Sequence, residues 1–156
     1  MKVGSGGGRV WSRIGLLAML LGALLVLSAP GPRQAPEEGE QNDRIMIDAT
    51  RLLQGVIKGI SDGDYAQYTS RFAPVMKKAQ SRETFLDLQK RLQKRLGKFK
   101  SMEYLGHYEQ YGKIITLFKA RFTKAKEDVL IKLVFDSKER EPLIDGLWFD
   151  SPSLVK

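Results

Sequence analysis

SRETFLDLQKRLQKRLGKFKS, residues 81–101, divides the chain into a helical part before it and a stranded part after it. Phe85, Leu88, Leu92 and Leu96 follow one another at intervals of three, four and four, which lines them along one face of a helix. Ser81 is positioned to cap that helix, because its hydroxyl can accept from a free backbone N–H of the first turn. Gly97 stands where a residue with positive φ would stop it. Lys98-Phe99-Lys100 then opens the first strand.

Upstream, Ile45, Ala49, Leu52, Leu53, Val56 and Ile60 give an amphipathic stripe from an N-cap at Asp43 to about Gly59. Ser61-Asp62-Gly63-Asp64 reads as a turn. Asp64 would cap a short helix with Tyr65, Tyr68 and Phe72 on its inner face, ended by Pro74. Val75, Met76 and Ala79 suggest one more turn. Downstream, Met102, Tyr104 and Tyr108 alternate while Phe99 is out of phase, which predicts a bulge near Ser101. Ile114 to Phe122 and Val129 to Phe135 alternate as two further strands, and Leu143 to Phe149 forms the last. A four-residue loop at Lys124–Glu127 would pair Phe122 with Val129 and Phe118 with Leu133.

Helices followed by antiparallel strands predict an α+β fold, with helices packed on one face of a curved sheet. Residues 43–156 would form this domain. Before it, residues 30–42 carry three prolines and no large apolar side chain, and read as a flexible tether. Residues 1–29 read as a targeting segment. Lys2, Arg9 and Arg13 precede an uncharged run at 14–29, which is shorter than the ~20 residues a spanning helix needs and close to a signal-peptide core. A cleaved signal and an uncleaved N-terminal anchor are both open. Either exports the domain across the cytoplasmic membrane, to a periplasmic or extracellular location.

Composition narrows the chemistry. With no cysteine in the chain, disulfides, thiolate metal sites and cysteine nucleophiles are excluded; with His107 the only histidine, so is a multi-histidine metal site within one chain. No metal site and no cofactor are expected. Of 26 basic and 18 acidic residues, three basic ones lie in the targeting segment, so the remainder carries +5 rather than +8. Lys90, Arg91, Lys94 and Arg95 fall off the apolar stripe of the main helix and should be solvated together. On an exported domain their natural partner is an anionic membrane surface; the export signal disfavours nucleic acid.

The run Ile60-Ser61-Asp62-Gly63-Asp64-Tyr65, with Phe72, Met76-Lys77-Lys78-Ala79, Ser81, Phe85 and Leu96-Gly97-Lys98-Phe99, resembles small bacterial domains of uncharacterised function in the nuclear-transport-factor-2-like (cystatin-like) superfamily. The resemblance covers residues 45–150. It implies a cone of helices and bent sheet whose open end holds ligands or, in some members, catalytic residues.

Two classes of function follow. In the first, Tyr65, Tyr68, Tyr104, Phe118, Phe122 and Trp148 converge between helices and sheet and bind a small ligand or a protein. In the second, Asp145 or Asp64 works with a tyrosine as in a small isomerase or hydrolase. Asp64 as a helix cap is committed to backbone N–H groups. Asp145 must face inward to serve, whereas pairing Ile131 with Trp148 turns Ile144, Gly146 and Trp148 in and Asp145 out. His107 has no fixed partner in sequence. The same register collects Leu117, Leu130, Val134, Leu147 and Phe149 on the outer sheet face, which predicts a homodimer through that face. A purely structural interaction module is the third reading.

Overall fold

The computed structural model describes residues 38–136 and 140–155; the segment at 1–29 and most of the tether lie outside the described residues. Among the described residues, five helices and four strands follow in order: α1 (Glu38–Asp62), α2 (Tyr65–Thr69), α3 (Pro74–Ala79), α4 (Arg82–Arg95), β1 (Phe99–Gln110), β2 (Lys113–Phe122), β3 (Val129–Phe135), β4 (Ile144–Asp150) and α5 (Pro152–Val155). The strands form one antiparallel sheet in the order β1-β2-β3-β4. The fold is α+β.

Helix α1 starts before Asp43, which lies inside it rather than capping it. Glu38 and Glu40 sit in its first turn, where carboxylates complement the helix dipole. Residues 38–42 are therefore helix, not tether. Asp64 caps α2 as expected, its Oδ1 accepting from the Gln67 N–H at 3.0 Å. That helix ends at Thr69, and Phe72 forms a parallel bridge to Ile144 instead of a last helical turn. Pro74 begins α3, the position where a missing N–H costs nothing. Ser81 caps α4 through the Thr84 N–H at 3.1 Å. Gly97 stops that helix at φ 82°, and a Cβ there would collide with Thr123 Oγ1.

Two registers differ from expectation. Ala120 pairs with Val129, and Phe118 with Ile131 rather than Leu133. The chain leaves the β2 ladder after Phe122 because the next residues are taken elsewhere. Thr123 N–H donates to the Lys98 carbonyl at 2.9 Å and Lys124 N–H to the Leu96 carbonyl at 2.8 Å. A shift of two residues keeps every side chain on its face, so Phe118 and Leu133 still point at the helices.

In β4 the shift is one residue: Ile131 pairs with Phe149, and Trp148 with Lys132. Leu147 and Phe149 consequently face inward and pack on the core, while Gly146 and Trp148 face outward. An irregularity between Val134 and Phe135 returns Ile144 to the inner face, where it is fully buried. β1 carries the bulge predicted near Ser101 and a second between Tyr104 and Gly106.

The core lies between α1–α4 and the inner face of the sheet. Leu53, Tyr68, Phe72, Phe85, Leu96, Phe118, Ile131, Leu133 and Phe135 are buried there. Tyr68 stacks at 4.8 Å on both Phe72 and Phe85, which ties the short helices to α4 through aromatic edges and faces.

Candidate functional site

The six aromatic residues do not line one cavity. Tyr68, Phe118 and Phe122 are buried in the core, Tyr65 and Tyr104 pack against it, and Tyr104 meets the ring of Phe118 at 5.4 Å. Trp148 lies on the other side of the sheet, half exposed, with Lys132 Nζ 4.4 Å from its ring centroid. The one-residue register shift in β4 is the cause of that separation. The tyrosine hydroxyls are held locally. Tyr65 Oη donates to the Gln80 carbonyl at 2.7 Å, and Tyr68 Oη to Gln80 Oε1 at 3.3 Å. Burial pushes Tyr68 up to about 12 and also raises Tyr104.

Neither candidate carboxylate enters the interior. Asp64 is engaged as the α2 cap. Asp145 lies 2.9 Å from Lys113 Nζ, which also reaches Asp136 at 3.4 Å; these contacts, led by the hydrogen bond to Asp145, raise the lysine above its ordinary range. His107 does have a partner: its Nδ1 lies 2.6 Å from Tyr104 Oη. Residues three apart on a regular strand face opposite ways, so only the bulge at Leu105 brings these two together. Among the described residues no cluster of three His, Asp or Glu side chains could hold a metal ion. No helix among them is long and apolar enough to cross a membrane.

The structure provides two open clefts that share Leu92 of α4 and Phe149 of β4. The first, about 630 Å³, runs past Tyr68, Gln80, Glu83, Asp87 and Arg91 to Trp148 and Leu154, and its rim mixes both charges. The second, about 590 Å³, lies at the C-terminal ends of α1 and α4, over Phe99 and Phe122. Its charged rim residues are Lys98 and Lys124. Only cations stand there.

Lys90, Arg91, Lys94 and Arg95 are exposed, as their position off the apolar stripe requires. Lys98, Lys100, Lys124 and Lys126 are exposed too. Lys124 Nζ donates to the Gln93 carbonyl at 3.3 Å, which joins the β2–β3 loop to the end of α4. Among the described residues, none of these eight cations has a carboxylate within ion-pair distance. The contribution of Lys124 is the part that sequence reasoning missed. Its signal was the lysine-rich composition of the loop, but only the fold carries that loop to the helix end.

Comparison with curated proteins finds no match, and neither does comparison with solved structures. The profile of a family of proteins of unknown function, DUF3887, matches residues 54–140, from the second half of α1 through the strands β1–β3. The matched segment is more than half of the 156 residues and holds the α4 face, both lysines of the cleft rim and most of the core, and the chain belongs to that family.

Proposed function

We propose that this protein is an exported binding module, without catalytic activity, that meets an anionic membrane surface through the outward face of α4 and the adjoining β2–β3 loop. The observation that carries this reading is the group of eight exposed cations without carboxylate partners among the described residues. A basic residue near an anionic bilayer contributes about 1 kcal/mol, so four of them acting together would supply useful affinity. The basic n-region and uncharged run at 14–29 support export, with the domain either anchored at the bilayer or released after cleavage. We further take the fold to be a cystatin-like cone, a reading supported by helices covering one face of a sheet whose edge strand is twice bulged.

The competing enzyme reading needs an aspartate inside the cone beside a tyrosine. With Asp64 bound as a cap and Asp145 on Lys113, the geometry favours binding. The test uses vesicles with and without anionic lipid and the full chain. Reversing Lys90, Arg91, Lys94 and Arg95 to Glu should abolish the salt-sensitive part of binding and leave any salt-insensitive part from residues 14–29. Equal salt dependence in both proteins would reject the surface reading. Fusing residues 1–45 to a reporter active only after export tests location.

A second reading rests on the outer sheet face. Trp148 and Leu130 are exposed there, with Leu117 and Val134 half-buried beside them. Lys119 is drawn off to Glu103 at 2.6 Å and Lys132 onto Trp148, so the two lysines do not oppose a second copy as a bare pair. Self-association through this face should appear in light scattering and be lost in Leu130→Glu. A monomer at micromolar concentration would end that reading.

A further inference from the structure

We infer that the cleft at the C-terminal end of α4 binds a single acyl chain carrying an anionic head, the chain lying on the apolar floor and the head held between Lys98 and Lys124. This rests on the binding reading above and names the class of ligand. The floor is built by Ile57, Ile60, Leu92, Phe99, Phe122 and Phe149, contributed by α1, α4 and three strands. Phe99 and Phe122 meet edge to face at 5.7 Å, a firm surface rather than a loose one. At about 590 Å³ the cleft falls within the range of about 300–1,000 Å³ usual for small-molecule sites.

The polar residues of the lining include Lys98, Thr123 and Lys124, whose backbone is held by hydrogen bonds. Lys98 N–H donates to Thr123 Oγ1 at 2.8 Å, and Thr123 N–H returns to the Lys98 carbonyl at 2.9 Å. Lys124 N–H is held by the Leu96 carbonyl. These bonds clip the backbone of both lysines beside the helix stop at Gly97, so the two residues line the same end of the cleft, with Lys124 Nζ donating to the Gln93 carbonyl there. Asp62, the acid beside the rim residue Ser61, is already taken by Lys58. An apolar trough with two lysines at one end and no acid in its lining suits neither a sugar nor a cation. It suits an acid with a long hydrocarbon tail. A free fatty acid and an anionic lysophospholipid of a bilayer share that chemistry.

The experiment uses the full-length chain and a photoreactive dodecanoic acid bearing a diazirine near its chain end, with labelled positions read by mass spectrometry. Reading positions separates the cleft from residues 14–29. Labelling is expected on the segments around Leu92–Phe99 and Phe122–Lys124. Unlabelled competitors should gain about fourfold in potency per added methylene until the trough is filled. The double variant Lys98→Glu, Lys124→Glu, at exposed positions, should lower labelling by the acid about tenfold and leave a neutral dodecanol probe unchanged. Ser61→Phe, which fills the rim, should reduce both.

A diazirine lysophosphatidylglycerol carried in vesicles forms the second arm. Labelling by it and by the free acid assigns the site to a membrane-derived ligand, and labelling by the acid alone to a soluble one; both support the inference. Labelling outside the cleft, or labelling that ignores both the charge reversal and the filling variant, overturns it. If salt-sensitive vesicle binding persists while the cleft stays unlabelled, the inference fails and the surface reading stands. The reverse pattern separates them the other way.

Discussion

The two faces of the sheet are made by the same strands, yet only one of them is a core. On the inner face Phe118, Ile131, Leu133 and Phe135 are buried beneath the helices. On the outer face Leu117, Leu130, Val134 and Trp148 alternate with Lys119 and Lys132, and charge pairs hold its margins: Lys119 with Glu103, Lys113 with Asp145. The difference teaches that β2 and β3 are apolar on both sides for two unrelated reasons. One side is needed to fold; the other leaves Leu130 and Trp148 exposed.

The most severe way to break this comparison is Phe118→Ala. Removing a fully buried ring should destabilise the protein by about 3–5 kcal/mol, whereas Leu117→Ala, its neighbour on the outer face, should cost about 1 kcal/mol. Denaturant titration of both variants checks the contrast, and similar costs would mean that the outer face is packed as well.

A pH series sharpens the inner side. Burial raises Tyr68 from about 10 to about 12, so the folded state holds the phenolic proton more tightly than the unfolded chain does. The associated stability is present in full below pH 10 and is lost as pH rises through 12. Its size is on the order of 2–3 kcal/mol. Stability measured from about pH 9 to about pH 12 should fall more steeply in the wild type than in Tyr68→Phe. Parallel curves would place that hydroxyl in contact with solvent.

The smallest effect probes the outer side. A Cβ at Gly146 would strike the Trp148 ring, which sits at the surface and can swing away. Gly146→Ala should therefore change stability by less than about 1 kcal/mol. It should shift indole emission to the red and increase quenching by iodide, as Trp148 leaves Lys132. An unchanged spectrum would place the ring elsewhere.

The helices were legible because their signals are local. The Ser81 hydroxyl, the Asp64 carboxylate and the positive φ at Gly97 each act within one turn, and each does what its residue type allows. The α+β class followed from the change of period at Ser101. Strand registers were less accessible, because long-range contacts set them: Thr123 and Lys124 are drawn to Lys98 and Leu96 before a short turn can close. That displaced the β2–β3 pairing harmlessly by two. In β4 an error of one moved Trp148 out of the supposed ligand site and exchanged it for Phe149. The α4 cations were legible as a helix face. Their junction with Lys124 was not, since the loop lies far along the chain.

The bulges in β1 have a bearing on how copies of the protein can meet. An edge strand with evenly spaced free N–H and C=O groups invites another chain to add to it, and repetition of that step grows fibres. β1 is one edge of the sheet, and it is broken out of step at two places, with Leu105 turned to solvent at the second. At the opposite edge the entry to β4 is already occupied, because Ile144 exchanges backbone hydrogen bonds with Arg71 and Ala73. Strand-by-strand growth is hindered at both sides. Copies crowded together would thus meet without an open strand edge to template repeated addition.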